Sequence, residues 1–305
     1  MSRRYDQSTT TFSPEGNAFV ALYSSSVIFY KYNFFQCFFS KSLYLIPIKL
    51  SDLSFISLSA LTGRLHQVEY AIEAINNAGT CVGLQGADGI VLAAEKRTVS
   101  KLLAPSKQSE KTYTIDEHII CLVSGLTADA NILVNEARVG AQRYLHQYQN
   151  PIPLEYSVKD VCNYKQSYTQ YGGLRPFGVA FLFAGWDKNF GYQLYQSDPS
   201  GNYSGWKATV IGQNNQAGKS LLKTDYKEDG TVNTNMKLAV KILLKTMDAS
   251  APSPEKIELS SITRNADGKI QHIIISDQIV QTYIDEITAE DEAEKKAKEA
   301  SQGDI

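Results

Sequence analysis

The stretch from Gly79 to Glu95 reads GTCVGLQGADGIVLAAE, and it limits the folds open to this chain more than any other segment. Two β-type runs, TCVGLQG and GIVLAAE, flank Ala87-Asp88-Gly89, where Asp-Gly supplies the turn chemistry of a hairpin. Before it, Arg64 to Ile75 puts Leu65, Val68, Ala71 or Ile72, and Ile75 on one face at spacings of three and four, which predicts a short amphipathic helix stopped by Gly79. After it, an apolar run from His118 to Val123 ends at Ser124-Gly125. Thr127 or Asp129 then caps a long helix with Leu133, Ala137, Ala141 and Tyr144 on one stripe, and a second helix spans Val158 to Gln170. Strands follow at Gly178 to Trp186, Tyr192 to Ser197 and Lys207 to Gly212, then helices near Gln216 to Asp225 and Thr234 to Met247. Ile257 to Ile262 and Ile270 to Ser276 form a closing strand pair around Asp267-Gly268. This order predicts an α+β fold: two antiparallel sheets face to face with helices outside each, a four-layer αββα sandwich in one domain.

Bulk properties narrow the function. The 305 residues carry 30 basic and 32 acidic side chains, a net charge of -2, with no one-sided block. That argues against nucleic acid as a partner and for other proteins. Cys37, Cys81, Cys121 and Cys162 lie far apart with no C-x-x-C pair, so neither a zinc site nor a disulfide frame is indicated and a reducing compartment fits. The start MSRRYDQSTTTF has charge but no apolar core of a secretory signal, so cytoplasm and nucleus are the expected locations.

Asn17 to Thr62 is unlike the rest: about a quarter of it is Phe or Tyr, glycine is absent, and Asp52 is its only acid. Lys31, Lys41 and Lys49 break its apolar runs well short of the ~18 to 20 residues of a spanning helix, so no membrane role is expected.

Several stretches resemble 20S proteasome alpha-type subunits: RRYDQSTTTFSPEG, GRLHQVEYAIEAI, the hairpin itself, SEKTYTIDEHI, SGLTADANILVNEARVGAQRYL, YTQYGGLRPFGVAFLFAGWD and SDPSGNYSGWKA. They cover the chain apart from residues 17–62, and RRYD, GGLRPFGV and SDPSGNYSGWKA sit nearest the type-4 branch of that family in eukaryotes. Family members run SPEG directly into RL-x-QVEYA, so removing 17–62 restores the motif; the segment reads as an atypical insert of the kind a translated intron leaves. The resemblance implies an N-terminal gating tail over 1–16, an alpha-subunit domain over 63–287 and a charged tail over 288–305. It implies the N-terminal nucleophile hydrolase sandwich, in line with the layer order read from periodicity.

The resemblance also implies how the chain works. Catalytic beta-type relatives attack with a threonine freed at the chain terminus, its own amine acting as base. Matched through GIVLAAE, Gly79 stands at the nucleophile's position, Glu95 where those relatives carry Asp, and Lys111 on their lysine, so a non-catalytic subunit of a threonine-type endopeptidase complex is expected. The rival is an active hydrolase cut at Gly79-Thr80, although a one-residue slip reverses each side chain of an alternating strand. By the same resemblance Lys111, Gly125 and Leu126 line a pocket for the C-terminal carboxylate of an activator tail. Tyr5, Asp6, Pro14 and Tyr70 match the cluster that holds the gating tails open. The expected partners are other alpha subunits in a seven-membered ring, beta-ring subunits, and a regulatory particle or other activator. The expected role lies in ring assembly, gating and docking in ubiquitin-dependent protein degradation, without a cofactor.

Other candidates have ordinary explanations. Gly172-Gly173 lacks the following Gly-Lys-Ser/Thr of a phosphate loop and reads as a turn before a strand. His66, His118, His146 and His272 are too widely spaced to suggest a metal set, and Cys81 and Cys121 read as inert core thiols.

Overall fold

The computed structural model describes residues 10–12, 18–20, 65–96, 102, 109–171, 174–247, 253–265 and 268–302. Two five-stranded antiparallel sheets stack on one another. The first runs in the order β10 (Ala208–Ile211), β3 (Cys81–Gln85), β4 (Gly89–Glu95), β11 (Ile257–Arg264) and β12 (Ile270–Ile274). The second runs β5 (Thr112–Asp116), β6 (Ile119–Gly125), β7 (Val179–Asp187), β8 (Gly191–Ser197) and β9 (Tyr203–Gly205). A separate antiparallel pair joins β1 (Thr10–Phe12) to β2 (Ala18–Val20).

The side-chain period of two sorts each central strand into two apolar layers. Ile90, Leu92, Leu122, Leu182 and Ile262 fill the space between the sheets. Val82, Leu84, Val91 and Leu259 face outward, under α4 (Asn215–Asp225), α5 (Val232–Thr246) and α6 (Asp277–Gln302). On the opposite side Cys121, Val123, Phe181 and Phe183 meet α2 (Thr127–Tyr148) and α3 (Leu154–Gln170). Burial on both faces explains why GIVLAAE and VAFLFAG are nearly unbroken apolar runs. The four-layer αββα arrangement expected from the element order is therefore the one observed.

The hairpin turn is tied to the helical layer above it. Gly86 N–H donates to the Gly89 carbonyl at 2.8 Å, and the Asp88 carboxylate accepts the Val232 N–H at 2.8 Å, satisfying an otherwise orphaned donor in the first turn of α5.

Several local expectations need correction. In α1 (His66–Asn76), Val68, Ala71 and Ile75 are buried while Leu65 and Ile72 are 41% and 37% exposed, so the buried stripe takes Ala71 and not Ile72. Neither Thr127 nor Asp129 caps α2: the cap position is Leu126, without a side-chain bond, because the Asp129 carboxylate is engaged elsewhere. Helix α3 begins at Leu154, ahead of Val158, with Pro153 supplying the extended entry. Strand β5 carries no apolar run because it is an edge strand, with Thr114 exposed and a bulge between Thr114 and Asp116. Helix α6 starts ten residues before the charged stretch at Ile287 and docks through Val280, Ile284 and Ile287.

Candidate functional site

The head of β3 is enclosed on every side. Gly79 is buried, and a Cβ built there would lie 3.0 Å from the Glu95 carbonyl and 3.6 Å from its Oε2. Its own carbonyl accepts a bond from Ser124 Oγ at 3.3 Å and a longer one from Cys81 Sγ at 3.7 Å. Gly212, at φ +91°, presses against that carbonyl so closely that a Cβ would sit 2.5 Å from it, which only glycine permits. The backbone before Gly79 is fixed too: Ala78 N–H donates to Ile75 at the end of α1, and the Ala78 carbonyl accepts the Gln213 N–H at 2.9 Å.

Thr80 is fully buried, and its polar atoms are committed. Its amide N–H donates to Glu95 Oε2 at 3.1 Å, and its hydroxyl donates to the Gln213 carbonyl at 2.9 Å. An N-terminal nucleophile needs a free α-amine beside an available hydroxyl. Gly79 offers no hydroxyl, and the Thr80 nitrogen and hydroxyl are already bonded to the Glu95 carboxylate and the Gln213 carbonyl. The Glu95 carboxylate is thereby occupied by the Thr80 amide. Cys81 supplies no substitute nucleophile: burial pushes its thiol up to about 12, with Lys111 pulling the other way and Glu258 and Glu95 adding to the rise.

Lys111, Gly125 and Leu126 come to one end of the second sheet. The Val123 N–H donates to the Lys111 carbonyl at 3.0 Å, so Lys111 stands next to the last residues of β6. Gly125 has φ +123°, and a Cβ there would lie 2.2 Å from the Gly178 carbonyl, the acceptor that Leu126 N–H bonds at 3.0 Å. Lys111, Gly125 and Leu126 are all half-buried. Behind them the Asp129 carboxylate, 4% exposed as a residue, takes two bonds from the Arg175 guanidinium, at 2.6 and 2.7 Å, and one from the Gly178 N–H at 3.0 Å. This fork ties α2 to the segment leading into β7, and the bond to Asp129 pushes the Arg175 guanidinium further up. Sequence reasoning missed the pair, since nothing local links residues 46 positions apart.

Tyr70 is half-buried on α1, stacked on His66 with ring centroids 6.1 Å apart. Helix α1 also lies against β1, so the N-terminal segment reaches the helix that carries Tyr70. Tyr5, Asp6 and Pro14 lie outside the described residues, as do Cys37 and Gly172-Gly173.

A family model for the proteasome subunit matches residues 75–262, the stretch from the end of α1 through β11. The chain belongs to the proteasome subunit family. It is 48% identical over 286 residues to the proteasome subunit alpha type-4 of Spinacia oleracea, an alignment covering 94% of this chain and 96% of that protein. Against the proteasome subunit alpha type-4 of Petunia hybrida it is 49% identical over 272 residues, covering 89% and 90%. Against that of Dictyostelium discoideum it is 46% identical over 296 residues, covering 96% and 99%.

His118 and Cys121 of this proteasome subunit are both buried. His118 is buried with Nε2 2.7 Å from the Ile152 carbonyl, and among the described residues no cluster of His, Cys, Asp and Glu is arranged to hold a metal. Cys121 is an enclosed thiol pushed up to about 12 by burial. No helix among the described residues is long and apolar enough to cross a membrane.

Proposed function

We propose that this proteasome subunit is a non-catalytic, alpha-type member of the 20S core, which builds the ring with other alpha subunits, stacks on beta-ring subunits, and gates and docks for ubiquitin-dependent protein degradation. The observation that carries this reading is Gly79. Glycine, which carries no hydroxyl, stands at the head of β3, where an N-terminal nucleophile would sit. Uncleaved, α1 stays attached and presents Leu65 and Ile72 outward, apolar side chains suited to a neighbouring subunit.

Docking follows from the rim formed by Lys111, Gly125 and Leu126. An ammonium in a partly dry pocket recognises the terminal carboxylate of an activator tail through a charge-assisted bond, typically worth roughly 1.5 to 3 kcal/mol. Gating rests on Tyr5, Asp6, Pro14 and Tyr70, where a hydroxyl bonding a carboxylate would hold the tail against α1. The working compartments are cytoplasm and nucleus, which fractionation of the assembled particle would check. For the non-catalytic assignment, N-terminal sequencing and intact mass of this chain from purified particles decide: the bond between Gly79 and Thr80 stays intact, and a mature chain beginning at Thr80 would overturn the reading.

A further inference from the structure

Glu258 is an acid in an apolar strand, IELSSI, and it is only 5% exposed. Its neighbours Ile257 and Leu259 point into the outer apolar layer, while Glu258 faces across the cleft towards the other sheet. There its carboxylate accepts bonds from the Glu110 N–H at 2.9 Å, the Thr112 N–H at 2.9 Å, the Lys111 N–H at 3.3 Å and the Ser109 hydroxyl. Ser109 Oγ in turn accepts the Thr112 N–H at 3.0 Å. Successive backbone donors converging on one anion form a concave cradle, which compensates the cost of burying that charge.

The consequence falls on Lys111. Its N–H is held by Glu258 from the first sheet and its carbonyl by Val123 of the second, so its backbone is fixed from both sides while its side chain remains half-exposed. We propose that Glu258 is a positioning residue: its ionised carboxylate sets the backbone of residues 109–112 so that the Lys111 ammonium is presented, pre-organised, to the terminal carboxylate of a partner's tail. This rests on the docking reading above. Pre-organisation raises affinity by removing the ordering cost of the contact. Glu258→Gln keeps the size but loses the charge and turns a donor toward the N–H groups, which frees the segment.

The test uses assembled proteasome particles and a labelled synthetic peptide with a free C-terminal carboxylate, alongside its C-terminal amide. Particles with Lys111→Met define the binding contributed by every other pocket. The expected result is that Glu258→Gln weakens the carboxylate peptide by about threefold to tenfold at this pocket, leaves the amide unchanged, and has no further effect in the Lys111→Met background. A loss shared by the amide, or one persisting without Lys111, would show a general structural effect and overturn the proposal, as would no loss. Lys111→Met without effect would instead sink the docking reading itself, and the proposal with it. If Glu258→Gln prevents assembly, Ser109→Ala decides. It removes one donor and keeps the charge, so a smaller carboxylate-selective loss supports the proposal and unchanged binding overturns it.

Discussion

Lys165 has no aqueous contact. It lies fully buried on α3, its Nζ donating to Ser197 Oγ at 3.1 Å and sitting 5.2 Å above the Phe181 ring. Burial pushes its ammonium down to about 8, with Cys162 and Asp198 resisting the shift. A lysine whose folded value lies below its unfolded value penalises the native state wherever both states are charged. Between pH 8 and the ordinary 10.5 the unfolded chain holds a proton that the folded chain has released, so stability rises with pH through that window, and the full penalty remains below it. Lys165→Met should abolish this rise and stabilise α3 near neutral pH by roughly 1 to 3 kcal/mol, read as slower hydrogen exchange of its amides in assembled particles. Asp129 predicts the opposite sign. Asp129→Ala removes the fork on the Arg175 guanidinium and the acceptor of the Gly178 N–H, and should cost roughly 3 kcal/mol by denaturant unfolding.

Elements constrain this end of the second sheet as firmly as single residues do. The junction of β6 and α2 turns at Gly125 through a positive φ against the Gly178 carbonyl, so Gly125→Ala meets both backbone strain and a collision. The expected outcome is loss of more than about 3 kcal/mol and failure to incorporate into particles, measured by native gel against wild type. Helix α6 divides along its length. Val280, Ile284 and Ile287 anchor its first turns in the outer core, whereas ITAEDEAEKKAKEASQGDI is charged beyond Ile287. Truncation after Ala293 should therefore leave the thermal midpoint within about 1 °C of wild type, while truncation after Ser276 removes three buried side chains and should lower it by several degrees. Neither β5 nor the start of α6 was evident from periodicity. An edge strand needs only one apolar face, and a helix held by three anchors gives a short, sparse stripe.

At the scale of the molecule, the segment from Asn17 to Thr62 stands apart from the rest of the chain in composition. Deleting residues 17–62 restores the family motif, and closing so long a loop costs only roughly 3 kcal/mol of chain entropy, so the sandwich beyond Gly63 tolerates either form. Peptide mapping of the native particle should return no abundant peptides from within Asn17 to Thr62; finding them would establish the segment as part of the mature chain. Element order and strand period by themselves determined the sandwich and the hairpin turn at Ala87-Asp88-Gly89, because local apolar patterning and turn chemistry act along the chain. Only the tertiary structure decided which stripe of α1 is buried, that Asp129 clamps Arg175 in place of capping α2, and that Glu258 reaches across to hold Lys111. These contacts join residues far apart in sequence. Whether a buried charge finds its partner depends on how the layers stack, which no local pattern encodes.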